Sequence, residues 1–362
     1  MIMTADRATV YDVAARAGVS TATVSFAFRR PEKVRPETRE RVLAAAHELA
    51  YVPSASARGL AHGRTRALGM LVHGVLLQRP EGVLAAATGT DPILDRARVF
   101  PLYVDEVGHG VELCCHRHGY SLLVNGVAAG SSGADAFADL AGRVDALVVF
   151  RDTVPRPVLR TMAERMPIVE LAAASRDPRL CHVTVDDTGG ARAMTEHLLA
   201  EHRLRRLEFV GDVAVWDQRR RFAGFAAALR ARDLPVPAAL SHGGHARHHA
   251  ARIAENLAQR LAGTRRRAPQ GVVCATDEVA LALIDALSHL GIDVPGDIAV
   301  TGFDGILASR VFRPALTTVR QPMERLGSLA IDLLIERLDH PRLARAAVQL
   351  PVTPVIGNSC GC

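Results

Sequence analysis

Residues that could contact nucleic acid are concentrated at the start of this 362-residue chain. The first 66 positions hold eleven arginine or lysine residues against six acidic ones, whereas the rest of the chain is nearly neutral and the formal net charge is +6. A short basic segment is what neutralisation of backbone phosphates requires. A solvated arginine-rich surface is the alternative that charge alone leaves open.

The side chains of Ser20–Phe28 are suited to reading base edges. If this segment is helical, its outward positions are short hydroxyls and an alanine, at Thr21, Ala22, Thr23 and Ser25. Small groups of this kind let a helix approach base edges closely. A merely solvated helix would more often carry glutamate and lysine there.

Three short helices are predicted to position this segment. A hydroxyl at Thr9 with an acid three residues later predicts a capped helix start, and Gly18 predicts the helix end. Ser20 is placed to cap a second helix, so the turn between the two is only a few residues long, as in a helix-turn-helix. A third helix is predicted over 36–50, opening on a proline. A small three-helix bundle without a DNA role is the alternative.

The segment that follows Pro53 is too short and too poor in apolar residues to form a stable helix alone in water. It could order on DNA, where Leu60 would act as an apolar wedge at a minor-groove base step. A flexible interdomain linker with one incidental leucine is the alternative.

From Ala67 onward, short apolar runs alternate with amphipathic stretches, which predicts parallel sheets covered by helices on both faces. A weak centre near His182–Asp187 predicts two such sheets. The predicted strands are Ala67–Val72, Ser121–Asn125, Ala146–Phe150, Pro167–Leu171, Leu207–Val210, Gly271–Ala275 and Ile298–Gly302. The predicted helices include Thr188–Ala200, Gln218–Ala231, Ala250–Leu261, Asp277–Leu290 and Met323–Leu338.

Three charged residues lie where ligands bind in such folds, beyond the carboxyl ends of strands. Asp277 and Asp304 each follow a predicted strand, and Arg221 opens a predicted helix. Two carboxylates and a guanidinium can hydrogen-bond the hydroxyls of a small polar ligand. The alternatives are an ordinary N-cap for Asp277, a turn residue for Asp304 and a solvated arginine for Arg221.

The head resembles the LacI/GalR family of bacterial repressors. The resemblance rests on Tyr11–Ser25, Thr38–Val42 and Tyr51–Pro53, and runs without a gap from Thr9 to Leu60. In that family the second helix reads the major groove, and the segment after the third folds into a hinge helix when a dimer binds its operator.

The resemblance implies specific DNA contacts. Thr21, Ala22 and Phe26 take the main base-reading positions, and Leu60 is the minor-groove wedge. Supporting contacts are implied for Tyr11, Ser20, Thr23, Ser25, Lys33, Arg35, Thr38 and Ala57.

Two positions depart from the family pattern. Many relatives carry arginine at the position of Phe26, and phenylalanine can offer only apolar contact, for example to a thymine methyl. We therefore expect an altered operator sequence rather than loss of binding. Arg35 replaces the serine often found before the third helix, so it forfeits a side-chain cap and adds a charge near the phosphates.

The large segment resembles the family's effector domain, which is itself similar to periplasmic sugar-binding proteins. The residues that carry this are Ala275–Ala280, Val294–Asp304 and Leu316–Val319. By position, Arg221 and Asp304 match residues that often hold the effector, and Asp277 is close to such a site. His73–Val99 is longer than the matching loop of relatives and is interpreted as an insertion.

The predicted fold class is α/β: a three-helix helix-turn-helix head and a hinge helix, then a two-lobed periplasmic-binding-protein-like domain with parallel sheets. The predicted boundaries are 1–52 for the head, 53–66 for the hinge helix and linker, and 67–362 for the effector-binding and dimerisation domain. Within the last, one lobe is about 67–186 with 308–341, and the other 187–307 with 342–357.

Other chemistry is weakly indicated. The six cysteines, Cys114, Cys115, Cys181, Cys274, Cys360 and Cys362, form no C-x-x-C pairs and are interpreted as reduced thiols, the last two in a frayed tail. The cluster His242, His245, His248 and His249 is compatible with a loop before a helix, so we expect no metal and no cofactor. Nucleophile-elbow and nucleotide-binding motifs are absent from the sequence, so we expect no catalytic residues.

The sequence thus predicts a DNA-binding transcriptional repressor controlled by a small polar effector. A sugar is the family default, and purine-type and other polar effectors are the alternatives. The expected partners are a near-palindromic double-stranded operator and a second copy of the chain. No apolar run is long enough to span a membrane, and no signal peptide opens the chain, so a cytoplasmic, nucleoid-associated protein is expected. The alternatives are a sugar-binding protein without a DNA function and an α/β enzyme with an accessory domain.

Overall fold

The computed structural model describes residues 8–51, 64–73, 102–127, 132–173, 177, 180–240, 246–263 and 268–362. The chain divides into two compact units, Met1–Arg66 and Ala67–Cys362. Most of the expected hinge segment and most of the expected insertion lie outside the described residues.

The first unit contains the three predicted helices, α1 (Val10–Ala17), α2 (Thr21–Arg29) and α3 (Pro36–Glu48). α1 begins with the predicted capping box, in which the Thr9 side chain accepts from the backbone N of Asp12. It ends at Gly18, whose φ of 64° is a left-handed conformation that suits glycine. The turn between α1 and α2 is only three residues long. The apolar faces of these two helices and of α3 share one small core.

The second unit is built from two parallel sheets, one antiparallel pair of strands and their helices. The strands are β1 (Ala67–His73), β2 (Ser121–Val127), β3 (Ala146–Phe150), β4 (Ile168–Leu171), β5 (Cys181–Val185), β6 (Leu207–Val210), β7 (Gly271–Cys274), β8 (Ala299–Thr301), β9 (Thr318–Arg320), β10 (Ala347–Leu350) and β11 (Thr353–Val355). The helices are α4 (Leu102–Arg117), α5 (Ala134–Ala141), α6 (Arg156–Ala163), α7 (Asp187–Ala200), α8 (Trp216–Arg230), α9 (Ala246–Ala262), α10 (Asp277–His289), α11 (Leu307–Val311) and α12 (Met323–Asp339). None of the helices in the described ranges has the length and apolarity needed to cross a bilayer.

The first lobe is a six-stranded parallel sheet in the order β10-β5-β4-β3-β1-β2. Successive side chains of its central strands point into two different cores. In β3, Val148 packs with α4 and α12, whereas Leu147 packs with α5 and α6. Burial on both faces favours apolar side chains along the whole strand, and β3 has no polar residue.

The second lobe is a three-stranded parallel sheet in the order β6-β7-β8. Helices α9 and α10 cover one face, and α7 and α8 cover the other. The carboxyl ends of these three strands are therefore the edge at which a ligand site is expected.

Two features differ from the sequence expectation. β5 lies within the stretch interpreted as a weak centre, and it pairs with β4 as part of the first sheet. The segment 342–357 was expected to belong to the second lobe. However, β10 (Ala347–Leu350) pairs in parallel with β5, so this strand belongs to the first lobe. The chain thus returns to the first sheet once more before β11 pairs with β9.

The crossing of α4 over α12 depends on two glycines. A Cβ at Gly110 would lie 2.0 Å from the backbone oxygen of Glu324, and one at Gly327 would lie 2.1 Å from that of Val107. Backbone atoms cannot move aside as a flexible side chain can, so this contact needs glycine. By contrast, a Cβ at Gly108 would meet only Met70 Cε, at an ordinary 3.5 Å.

Gly110→Ala is expected to destabilise the large unit by about 1–3 kcal/mol, because the added methyl forces α4 and α12 apart. Gly108→Ala, two residues away on the same helix, is the matched control and is expected to be neutral or stabilising by up to about 1 kcal/mol. Urea unfolding of both full-length variants measures the difference. Equal effects of the two substitutions would contradict the close crossing.

Candidate DNA-binding and ligand-binding sites

Helix α2 exposes the residues expected to read DNA. Val24 and Ala27 face the core of the head, whereas Ala22 is exposed and Phe26 is 44% exposed. The outward side chains of this helix are small or apolar rather than charged, which lets the helix approach base edges closely. This face therefore fits a docking surface better than a solvated one.

The start of α2 is held by its predicted cap. The Oγ of Ser20 accepts from the backbone N of Thr23 at 3.1 Å and lies 2.9 Å from the Thr23 hydroxyl. At the start of α3, Arg35 makes no side-chain capping hydrogen bond, as expected from its replacement of a serine. An ion pair of 2.7 Å between Arg16 and Glu48 joins α1 to α3.

The remaining expected DNA contacts in the described head are exposed or half-buried, so their side chains are accessible. They are Tyr11, Ser20, Thr21, Thr23, Ser25, Lys33, Arg35 and Thr38. Ala57 and Leu60 lie outside the described residues.

In the second unit, Arg221 of α8 is buried among acidic residues. Its Nε donates to Oδ1 of Asp187 at 2.8 Å, and its Nη1 donates to the Ala275 carbonyl at 2.6 Å and to Oδ1 of Asp304 at 3.1 Å. The guanidinium also stacks on the Phe303 ring, 3.9 Å from its centroid. The alternative of a solvated arginine is therefore wrong.

The carboxylates keep the buried guanidinium charged. Burial opposes its charge, but Asp304, Asp187 and Asp217 outweigh that effect, so the pKa of Arg221 lies above its usual value. Burial in turn raises the pKa of Asp187 to about 6 in spite of Arg221.

Asp304 is held in an unusual backbone conformation at the crossing between the lobes. Its φ is 125°, in a region that L-residues rarely adopt and that costs on the order of 1–3 kcal/mol. Its Oδ1 accepts from Gln321 Nε2 at 2.7 Å and from Arg221, and its backbone N donates to the Val319 carbonyl. Among the described residues, none donates to its Oδ2.

Asp277 lies just beyond a strand end, as the sequence suggested, but its carboxylate binds other parts of the chain. It is fully buried, and its Oδ2 accepts from the backbone N of Gly305 at 2.8 Å and of Ile306 at 3.0 Å. Its Oδ1 accepts from the Thr318 hydroxyl. Thr276, not Asp277, is the N-cap of α10. The Oδ2 of Asp277 thus holds the loop that carries Asp304, and its Oδ1 holds the start of β9.

The first lobe contributes an aromatic wall beside this cluster. The rings of Tyr103 on α4 and Phe150 at the end of β3 meet edge-on at 6.4 Å. Burial, and then the negative charge of Asp304, raise the pKa of Tyr103. Next to them, Arg151 pairs with Asp217 of α8 at 3.0 Å and so connects the two lobes.

Sequence reasoning missed four residues of this cluster: Asp187, Asp217, Gln321 and Tyr103. Gln321 lies two residues after the motif Leu316–Val319, and Asp187 immediately precedes the predicted helix Thr188–Ala200, so both positions lay beside elements that the sequence had indicated. Tyr103 lay beside the expected insertion, where no element could be assigned.

Glu278, the neighbour of Asp277, carries an uncompensated buried charge. Burial, and then the charge of Asp277, raise its pKa to about 7. Its Oε1 is buried without a hydrogen-bond partner among the described residues. Because the folded state holds this proton more tightly than the unfolded chain, the stability that the group contributes at low pH is lost as the pH rises through about 7.

Glu278→Gln keeps the shape of the side chain and removes its titration. We expect the variant to melt a few degrees above the wild type at about pH 8, with the difference shrinking towards about pH 5. Thermal melts across this range measure it, with Glu255→Gln on the exposed side of α9 as control. A difference that is independent of pH would contradict the buried charge.

Each of the two units is similar to a known protein family. Residues 9–54 match the family described as bacterial regulatory proteins, lacI family, and residues 195–360 match the periplasmic binding protein-like domain. The HTH-type transcriptional repressor PurR of Photobacterium profundum is 31% identical over 356 residues, which cover 97% of this chain and 98% of the relative. PurR of Aliivibrio fischeri is 30% identical over 343 residues, 92% of this chain and 94% of the relative.

Solved structures show the same fold. The lac repressor dimer bound to operator and the anti-inducer ONPF superposes with a TM-score of 0.75 at 24% identity, over 98% of this chain and 99% of that one. The transcriptional regulator CelR in complex with cellobiose gives 0.66 at 24% identity, over 98% and 100%. Because the curated relatives match over almost the whole length, the chain belongs to the LacI family: it is a DNA-binding transcriptional repressor with a ligand-binding domain and not an enzyme.

Proposed function

We propose that this repressor binds a near-palindromic operator as a homodimer and that a small polar effector, a sugar, sets its operator affinity. The observation that carries the proposal is the buried cluster of Arg221, Asp187 and Asp304 at the strand ends of the second lobe. A two-fold pair of heads requires two related half-sites, so the operator symmetry follows from the dimer.

Two atoms of the cluster are suited to a hydroxyl ligand. Within the described residues, Oδ2 of Asp304 receives no hydrogen bond, and Nη2 of Arg221 has only Oδ2 of Asp217, at 3.5 Å. A sugar hydroxyl can donate to the first atom and accept from the second. Tyr103 and Phe150 supply the apolar wall on which a sugar ring packs.

In this proposal Asp277 does not contact the effector. Its oxygens already accept three hydrogen bonds from the chain. Its role is to fix Gly305 and Ile306, and through them the strained backbone of Asp304. Direct ligand contact is assigned to Arg221 and Asp304.

Control of DNA binding requires that the effector prefers one arrangement of the lobes. The Arg151–Asp217 ion pair crosses between the lobes and shares Asp217 with Arg221. A ligand that engages Arg221 therefore changes the balance of charge at this bridge. A differential affinity of about 1–3 kcal/mol for the two arrangements is the usual scale of such coupling.

Asp304→Asn removes the free carboxylate oxygen and keeps the side-chain shape. A thermal-shift screen of the full-length wild type against sugars and nucleobases first identifies an effector, since binding raises the melting temperature. Asp304→Asn is then expected to bind operator DNA like the wild type and to lose the effector response.

The matched control is Asp285→Asn, an exposed substitution on α10. It should retain the effector response. If Asp304→Asn still releases DNA on addition of the effector, the ligand contact has been misassigned. If nucleobases rather than sugars raise the melting temperature, the sugar class is wrong.

Phe26→Arg is expected to change the preferred operator sequence, because an arginine can grip guanine through two hydrogen bonds worth about 1–3 kcal/mol of discrimination. Selection from random duplex DNA with the wild type and the variant measures the preference. Ala15→Arg adds the same charge at an exposed position of α1 and should leave the selected sequence unchanged. An unchanged sequence for Phe26→Arg would count against base contact at this position.

A further inference from the structure

The sequence suggested a frayed C-terminal tail. In the structure the C-terminal residues are instead packed into the second lobe. Ser359 is fully buried and Cys360 is 3% exposed. The Oγ of Ser359 donates to the Val300 carbonyl at 2.6 Å, and the backbone N of Val300 donates to the Ser359 carbonyl at 2.9 Å. The chain end therefore runs along β8 and is held there by buried hydrogen bonds.

This packing brings two cysteines onto two histidines. His197 lies in the last turn of α7, and His202 lies just beyond the helix end. The Sγ of Cys362 is 3.5 Å from Nε2 of His197 and 3.2 Å from Nε2 of His202. The Sγ of Cys360 is 3.7 Å from Nε2 of His197. All four ligand atoms lie within 4.8 Å of one another.

The spacing of these atoms suits a tetrahedral metal ion. Metal–sulfur bonds of about 2.3 Å and metal–nitrogen bonds of about 2.0–2.1 Å give a tetrahedron with edges of about 3.3–3.8 Å. The three measured sulfur–nitrogen distances, 3.2, 3.5 and 3.7 Å, fall close to this range. A φ of 100° at Gly361 reverses the backbone between the two cysteines, so both sulfurs can face the imidazoles.

We propose that Cys360, Cys362, His197 and His202 form a structural Zn²⁺ site in the second lobe. Two thiolates and two neutral imidazoles are a set that zinc favours, and four protein ligands leave no open position for catalysis. Binding converts each thiol to a thiolate and releases its proton to solvent. A surface cavity of about 720 Å³, lined in part by His202 and Cys360, gives the ion a route to the site.

The site would tie the chain end to α7. The other end of that helix carries Asp187, which binds Arg221. Zinc would thus stabilise the helix that forms one side of the ligand-binding cluster. The proposal does not depend on the identity of the effector.

The test uses the full-length chain without a histidine tag, purified under reducing conditions from zinc-replete cells. Elemental analysis is expected to find one zinc per chain. Loss of a group that only supports a metal ligand lowers affinity by about 10–100-fold. Cys362→Ser and His202→Ala each remove a ligand, so we expect a larger loss of zinc affinity from either substitution. Replacement of zinc by Co²⁺ should give the absorption of a tetrahedral thiolate-bound ion in the wild type, and this absorption should be lost in Cys362→Ser and His202→Ala.

The matched control is His118→Ala, which disrupts the cluster Cys114, His118 and Asp332 in the first lobe. It should keep the full zinc content. Chelation should lower the melting temperature of the wild type and of His118→Ala, but not that of Cys362→Ser. Substoichiometric zinc in the wild type, unchanged affinity in both ligand variants, or a Cys360–Cys362 disulfide in the reduced preparation would each overturn the proposal.

Discussion

The large unit is organised around the buried guanidinium of Arg221. A charge taken out of water costs several kcal/mol unless it is paired and its hydrogen-bond donors are satisfied. The partners of Arg221 come from α7, from the carbonyl after β7 and from the loop after β8. Helix α8 can therefore occupy one position only, at which all three are in reach. Gly224 permits this position, because a Cβ there would lie 2.1 Å from the Thr188 carbonyl.

The acidic groups around Arg221 exceed its charge. Asp187, Asp217 and Asp304 contact it, and Arg151 adds a positive charge through its ion pair with Asp217. Burial raises the pKa of Asp187 and of Asp304 in spite of Arg221. Such a cluster offers more acceptors than donors, so it is better matched to a ligand rich in hydroxyl donors than to an anion. This is the physical basis on which we propose a sugar rather than a carboxylate or phosphate as the effector.

The sequence predicted those parts of the fold that local chemistry determines. Thr9, Gly18 and Ser20 act within a few residues of the backbone that they cap, so the head could be predicted in detail. Strands such as β3 and β7 are buried on both faces and read as short apolar runs. The edge strand β10 is half-exposed, and a strand of that kind gives no such run.

What the sequence could not predict depends on contacts between distant residues. The strand-end position of Asp277 was correct, but its function depends on Gly305, Ile306 and Thr318, which only the fold brings to its carboxylate. For the same reason Cys360 and Cys362 looked like an unpaired tail, since their histidine neighbours are about 160 residues earlier in the chain. Helix α7 connects these two cases: its first residue binds Arg221, and its last turn carries His197. A helix held at both ends cannot tilt to relax one contact without straining the other. The geometry of the cluster around Arg221 is therefore set partly by the packing of the chain end.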